Sequence, residues 1–314
     1  MIIGFEGAVT LDVTGPAEVF AAAAQLVRRP EYRVELASVG GGERSTSSAL
    51  RMLTRDLRRM RPRRDDIVVV AGGGARDVGP AMADPTLLRW LARAAPVVRR
   101  MTSVCSGAFI LAAAGILDGK RATTHWLGCD LLARSFPAVT VDGNAIFVRD
   151  GSVWTSAGVT TGIDMALAMV EEDLGRAVAD AVAARLVLYV RRPGFQSQFS
   201  EALVAQRAGS DPLGPAIAWA RANLQRAGID ALARRAGMSV RTFHRRCLEL
   251  LTTTPARLLD KLRVEHARTL LASSALPAKT LAVQCGFGNA VRMKRAFERE
   301  LGMGPREYRT LRRA

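Results

Sequence analysis

The chain has 314 residues, 49% hydrophobic and 24% charged, which suits two globular domains and excludes wholesale disorder. The longest apolar stretch, around Ala108 to Leu117, is too short to cross a bilayer. The opening M-I-I-G-F-E-G lacks the basic start and long apolar core of an export signal, so a cytoplasmic protein with no membrane partner is expected. Most of the formal charge of +16 lies late: residues 211–314 carry 20 Lys and Arg against 8 Asp and Glu, whereas residues 1–210 carry 25 against 21. A basic module behind a nearly balanced one points to a polyanion as the partner of the module alone.

Four cysteines (Cys105, Cys129, Cys247 and Cys285) form no C-x-x-C pair and fit reduced thiols. Histidine is limited to His125, His244 and His266, with no clustered Cys/His spacing, so neither a metal centre nor a cofactor is expected.

In chain order, short apolar runs predict strands at Met1–Phe5, Tyr32–Val39, Ile67–Ala71, Val97–Val104, Val139–Val141, Ala145–Arg149 and Val153–Ser156. Helical patterning falls at Pro16–Val27, Pro85–Ala94, Gly107–Ala114, Trp126–Ser135 and Thr161–Asp173. This alternation predicts a mostly parallel sheet with helices on both faces and ligands at the carboxyl ends of the strands.

Three loops at those ends carry the chemistry. Leu11–Pro16 offers Asp12 just before the first helix. The run A-G-G-G-A-R-D after Val70, with Gly73 at its centre, is expected to present free N–H groups. It is no dinucleotide fingerprint, because Asp77 stands where the last glycine belongs. In V-R-R-M-T-S-V-C-S-G-A-F a strand ends in Cys105 and a helix starts at Ser106 and Gly107, a strand–nucleophile–helix elbow. There the helix dipole favours a thiolate, while Asp12 opposes one. His125 lies twenty residues on, readable as a pocket group or as a structural imidazole beside Trp126, and Cys129 reads as an ordinary buried thiol.

The stretches L-D-V-T-G-P-A-E-V-F, S-V-C-S-G-A-F-I-L-A-A-A-G-I-L-D-G-K-R-A-T-T-H-W and T-S-A-G-V-T-T-G-I-D-M-A-L resemble the ThiJ/PfpI, class I glutamine amidotransferase-like superfamily, and within it the GlxA-type branch fused to a DNA-binding domain. The resemblance covers roughly Met1 to Gln198. It implies a flavodoxin-like, doubly wound α/β sandwich, with Cys105 at the elbow and Asp12 as the carboxylate facing it. Family proteases and related hydrolases place histidine directly after the cysteine. Ser106 holds that position here, so a non-enzymatic domain is expected, with a cysteine-dependent amidase, hydratase or glyoxalase-like activity as the alternative.

Gly, Ser, Asp and Pro cluster at 208–215, a boundary composition, and Pro215 suits the first turn of a helix. All later patterning is helical. Ile217, Ala220 and Leu224 mark one amphipathic helix. Asp230 is expected to cap the next, which buries Leu232, Ala233 and Ala236. Gly237 makes a tight turn and Ser239 caps a further helix. Two short helices about a Gly turn are a helix-turn-helix. The pattern recurs at T-L-A-V-Q-C-G-F-G-N-A-V-R-M-K-R-A-F. The glycines Gly237 and Gly286 are 49 apart, and the inward pairs Phe243/Cys247 and Met293/Phe297 are 50 apart, so the second turn is one residue longer. A long helix, Pro255–Leu271, joins the two units, with His266 on it as a surface or packing residue.

Residues Pro215 to Arg313 resemble the AraC/XylS family, down to G-F-G-N-A and the closing G-M-G-P-R-E-Y-R. Gly304 stands where that family usually has serine, which implies a weaker cap on the last helix. The expected architecture is therefore an α/β domain over 1–195 that senses a small molecule or mediates dimerisation, a linker over 196–214, and an all-α double helix-turn-helix domain over 215–314. With Phe243 and Cys247 inward, Arg241, Thr242, His244, Arg245 and Arg246 remain for DNA, and Arg241, His244 and Arg245 share one face. The second unit offers Asn289, Arg292, Lys294 and Arg295, with Ala290 and Val291 suited to thymine methyl groups. The expected partners are double-stranded promoter or operator DNA, a second copy of the chain, an unidentified small-molecule effector and RNA polymerase.

Overall fold

The computed structural model describes residues 1–27, 32–188, 192, 194, 198, 212–251, 253–274, 276–301 and 303–310. The chain forms two compact units, Met1–Gln198 and Phe199–Ala314.

In the first unit, β-branched residues build the centre of an eight-stranded sheet ordered β3-β4-β2-β1-β5-β6-β10-β9. The central strands β1 (Ile2–Ile3), β2 (Leu36–Ser38), β5 (Ile67–Val70), β6 (Arg100–Val104) and β10 (Val153–Ser156) pair in parallel, and β4 (Arg51–Asp56) joins β2 in the same sense. The edge strands β3 (Gly42–Ser45) and β9 (Phe147–Asp150) pair antiparallel. Successive side chains of a strand point to opposite faces, so I-V-V-V of β5 is buried on both. Val68 and Val70 join a core with α2 (Ala75–Ala83), α3 (Pro85–Ala94), α4 (Gly107–Ala113) and α5 (Cys129–Ser135). Ile67 and Val69 join the other core, with α1 (Thr10–Leu26), α6 (Thr161–Leu174) and α7 (Arg176–Arg185). A two-stranded ribbon, β7 (Arg121–Ala122) with β8 (Thr140–Val141), lies beside the sheet.

Several boundaries differ from those the patterning predicts. The first helix starts at Thr10, six residues before Pro16, because Val9 turns the chain and Asp12 stabilises the first helical turn. The run Val97–Val104 becomes strand only at Arg100. Trp126–Ser135 divides into a 3-10 turn over Trp126–Gly128 and the helix α5. Hairpin β3–β4, with a solvent-facing R-M-L-T-R-D strand, and helix α2, with Gly79 and Pro80 inside it, carry too little periodicity to be predicted.

In the second unit all elements are helical: α8 (Leu213–Ala222), α9 (Ile229–Arg235), α10 (Val240–Leu251), α11 (Pro255–Ser273), α12 (Ala278–Gln284), α13 (Ala290–Leu301) and α14 (Pro305–Thr310). Pro215 lies in the first turn of α8, as expected, whereas most of the expected linker falls outside the described residues. Two cores form. Leu258, Leu259 and Leu262 of α11 pack with Ile217, Leu232, Phe243 and Cys247, while Val264, Ala267 and Leu271 pack with Leu281, Phe287, Met293 and Phe297. One helix therefore serves both units.

At the amino ends of the strands, Asp173 of α6 accepts two bonds from the Arg100 guanidinium, at 2.9 and 2.6 Å, and one from the Tyr32 hydroxyl at 2.6 Å. The Asp173 side chain is 4% exposed, so removing it strips the buried Arg100 guanidinium of its two short bonds and leaves it the longer, 3.5 Å pair with Glu172. Asp173→Ala should destabilise the first unit by about 3–5 kcal/mol, read as a lower urea midpoint in tryptophan fluorescence.

Candidate functional site

Cys105 follows β6 directly, with φ at +56°, and Val159 in the β10–α6 loop has φ at +51°. Left-handed backbone at a non-glycine residue costs about 1–3 kcal/mol and persists only where its surroundings impose it. Here the Cys105 N–H donates to the Ser156 carbonyl at 2.9 Å, and the Thr124 hydroxyl donates to the Cys105 carbonyl at 2.7 Å. Gly158, itself at φ +104°, passes so close that an added Cβ would lie 2.3 Å from that of Cys105. Only glycine fits there.

Asp12, fully buried in the first turn of α1, ties the loops together. Its Oδ1 accepts the Val159 N–H at 2.8 Å, its Oδ2 accepts the Gly72 N–H at 3.1 Å, and the Cys105 thiol shares a further hydrogen bond with it. The expected carboxylate–cysteine pair is present, but on a helix rather than in a loop. Burial pushes the Asp12 carboxyl up to about 6, with the two N–H groups and the thiol pulling the other way. Burial, and then the charge of Asp12, push the Cys105 thiol up to about 12. The dipole of α4 was expected to favour a thiolate; seven residues of helix do not offset a buried site beside a carboxylate.

The glycine loop does not hold its N–H groups free. That of Gly72 goes to Asp12, and that of Gly73 goes to the Ser106 hydroxyl at 2.9 Å, which donates back to the Gly73 carbonyl at 2.7 Å. Ser106 is thus a brace between two loops. His125 accepts the Leu127 N–H on Nδ1 at 3.4 Å and lies against Trp126, ring centroids 5.6 Å apart, which is the structural alternative. Cys129 is buried, its thiol directed at the Thr124 and His125 carbonyls. Val159 and Thr124 act through their backbone and hydroxyl. Only the glycine beside Val159 hinted at that role in the sequence.

The second unit places its cations on exposed helix faces. The Ser239 hydroxyl accepts the Thr242 N–H at 3.1 Å and caps α10; fifty residues on, Asn289 Oδ1 accepts the Arg292 N–H at 2.9 Å and caps α13. Both caps sit on the same turn of their helices, one of them supplied by a residue expected at DNA. Gly228, and not Asp230, is the cap of α9, and Asp230 lies within its first turn. At α14, the Gly304 N–H donates to Glu307 at 2.9 Å, so the cap keeps the glutamate bond and lacks the serine one, as expected. The turns at Gly237 and Gly286 both have positive φ, +64° and +79°. Four residues separate α9 from α10 and five separate α12 from α13, as the sequence spacing required.

Phe243 and Cys247 are buried, while Arg241, His244 and Arg245 are exposed and Thr242 and Arg246 half-buried. Glu249 pairs with Arg245 at 3.2 Å and with Arg246 at 3.6 Å. On α13, Arg292, Lys294 and Arg295 are exposed, and Lys294 pairs with Glu298 at 3.5 Å. His266 is exposed on α11. No group of three or more metal-ligating side chains occurs among the described residues, and no helix among them is long and apolar enough to cross a membrane.

The model of the DJ-1/PfpI family matches residues 1–172, and that of a helix-turn-helix domain matches residues 232–311. An HTH-type transcriptional regulator, GlxA, of Rhizobium meliloti (strain 1021) is 33% identical over 298 residues, 93% of this chain and 89% of its own. An isonitrile hydratase of Pseudomonas putida is 37% identical over 187 residues, 60% of this chain and 76% of its own. The crystal structure of a ThiJ/PfpI family protein from Pseudomonas syringae aligns with a TM-score of 0.52 and 28% identity, covering 61% of this chain and 75% of that one. A thiol elbow on a doubly wound sheet, followed by paired helix-turn-helix units, is the make-up of an AraC-type transcription regulator. The chain belongs to the DJ-1/PfpI family.

Two outcomes follow from the elbow. A carboxyl whose folded pKa, about 6, exceeds its ordinary 3.8 binds its proton more tightly when folded, so stability rises as pH falls from about 7 towards 4. Relative to Asp12→Asn, the wild type should gain on the order of 2 kcal/mol between pH 7.5 and 4.5 in urea unfolding. With the Cys105 thiol at about 12, roughly one molecule in 10⁴ carries a thiolate at pH 8. Iodoacetamide labelling of the Cys105 peptide, followed by mass spectrometry, should run roughly a hundredfold or more below free cysteine at that pH and accelerate up to pH 11.

Proposed function

We propose that this DNA-binding transcription regulator reads its operator through α10 and α13, and that its first unit is a sensor rather than an enzyme. The carrying observation is the exposed face of α10, where Arg241, His244 and Arg245 stand outward over the buried Phe243 and Cys247. Arginine recognises guanine through two acceptors in the major groove. Two recognition helices joined by one continuous helix suit successive major-groove segments on one face of the duplex. Thr242, Arg246, Arg292, Lys294 and Arg295 supply phosphate contacts in this reading, and Asn289 adds its amide nitrogen beyond the cap it makes. Val291, 59% exposed at the front of α13, fits a thymine methyl group.

The domain reading is 1–195 for sensing or dimerisation, 196–214 for the linker and 215–314 for DNA. A second copy of the chain, a small-molecule effector and RNA polymerase are the further partners, in a cytoplasmic setting. The non-enzymatic assignment is supported by a thiol held protonated, by Ser106 in place of a histidine, and by an imidazole at His125 engaged with Leu127. The likeness to an isonitrile hydratase keeps turnover as the alternative. Thiol-dependent turnover by wild type but not by Cys105→Ser would replace the sensor with an enzyme.

Gel-shift titration with genomic fragments at physiological salt tests the main reading. Preferential capture of particular fragments is expected, and equal affinity for random duplex would overturn it. On the selected sequence, Arg241→Ala or Arg245→Ala should weaken binding by about 1–3 kcal/mol and relax preference at one base pair.

A further inference from the structure

The small positive surplus of the first 210 residues falls in one place. Residues 1–210 carry 25 Lys and Arg against 21 Asp and Glu, and residues 58–64, R-R-M-R-P-R-R, hold five of those arginines and no acid. Without that run the count is 20 against 21. A general abundance of arginine would scatter the excess along the chain, whereas here it is gathered into seven residues. Basic runs of this length and density are the sequence form of a nucleic-acid contact.

The fold fixes where the run lies. The strands β4, β2, β1 and β5 are mutually parallel, so the chain must travel from the carboxyl end of β4 back to the amino end of β5, and residues 57–66 make that crossing. Leu57 is fully buried in the core that Trp90 of α3 also joins. Trp90 Nε1 donates to the Met60 carbonyl at 3.1 Å. Asp66 accepts the Arg63 N–H at 2.8 Å, and its own N–H donates to the Arg63 carbonyl at 3.1 Å. The crossing is therefore a strap pinned at its start, middle and end. It turns Arg58, Arg59, Arg61, Arg63 and Arg64 to solvent, and Arg89 and Arg93, one helical turn apart on the exposed side of α3, carry the same sign beside Trp90. Four carboxylates border these seven guanidinium groups. Asp56 pairs with Arg58 at 2.8 Å, Asp66 holds the strap itself, Asp84 caps α3, and Asp65 is exposed.

No large apolar side chain of 57–66 is exposed, so the strap offers none of the anchors on which protein interfaces and membrane-surface helices depend. What it offers is a row of guanidinium forks, the group best matched to phosphate oxygens. A duplex held by the second unit is kept near the first by the covalent chain, which raises its effective concentration above that of any free polyanion. We propose that the strap is a further DNA contact, lying along the sugar–phosphate backbone of the duplex that the second unit holds and adding affinity without base preference. This rests on the reading of the second unit as the operator-binding part. Each phosphate neutralised releases a condensed counterion, so contacts made by the strap steepen the salt dependence of binding and leave base choice unchanged.

Gel shift of the full chain tests this, on a captured genomic fragment and on a random duplex of equal length, from about 50 to 300 mM salt. With Arg59, Arg61, Arg63 and Arg64 all changed to glutamine, the plot of log K against log salt should flatten by about 2–4, and affinity at physiological salt should fall roughly 10- to 100-fold on both duplexes with their ratio unchanged. A companion variant with glutamine at four exposed arginines elsewhere in the first unit, Arg33, Arg134, Arg176 and Arg185, should keep the wild-type slope. Equal urea midpoints for the two variants show that both are folded. An unchanged slope in the strap variant overturns the proposal. Equal flattening in the companion does so too, because the effect is then one of total charge. A strap variant that keeps its duplex affinity and loses binding to single-stranded RNA or to poly-L-glutamate also overturns it, by assigning the strap to another partner. Base preference is read apart from this, in Arg241→Ala. Selective capture with an unaltered strap slope removes this inference alone, and a flattened slope with equal affinity for fragment and random duplex removes the base-reading alone.

Discussion

One buried carboxylate organises the carboxyl end of the sheet. Asp12 reaches from α1 to the loop after β5 through Gly72, to the loop after β10 through Val159, and to the thiol after β6. Each of these loops is conformationally expensive alone: two hold non-glycine residues at positive φ, and the third is a run of glycines. A single charged side chain that accepts from two backbone N–H groups recovers part of that strain and sets the separation of the loops. Burial at that hub raises the carboxyl to a pKa of about 6 against the pull of its N–H donors, and the neighbouring thiol becomes a poor nucleophile. The geometry resembles a catalytic elbow, whereas the electrostatics suit a rigid hub.

The second unit solves a different problem, the orientation of two short helices. Each of α10 and α13 begins at a side-chain cap fifty residues from its counterpart, Ser239 and Asn289, and each buries an aromatic residue, Phe243 near the start of α10 and Phe297 past the middle of α13. The exposed faces then diverge. The front of α10 is arginine and histidine, that of α13 is alanine, valine and arginine. Duplication kept the scaffold and changed what it presents.

The legible parts of the fold were those in which burial imposes period. The I-V-V-V strand, the V-C-S-G elbow and the matched Gly237 and Gly286 turns could be read because a sheet buried on both faces, a strained bend and a tight turn each restrict residue choice. Hairpin β3–β4 and helix α2 could not. The one is an edge whose R-M-L-T-R-D face meets solvent, and the other contains Gly79 and Pro80, which mask its periodicity. At the site, Asp12 and Cys105 were legible as residue types. The fate of the glycine N–H groups was not, because Ser106 and Asp12 reach them across 33 and 60 residues of sequence. The roles of Val159 and Thr124 are of the same long-range kind.

Helix α11 lends its first half to one core and its second half to the other. Its residues are fixed in angular phase at about 100° each, so the two helix-turn-helix units packed on it behave as teeth on one shaft. Neither can be re-aimed without the other. In the proposed reading, the duplex presents its two points of contact at one separation and one rotational setting, and a base pair inserted between those points carries the second out of phase by about a tenth of a helical turn. On that reading, the length of a protein helix serves as a ruler for duplex DNA.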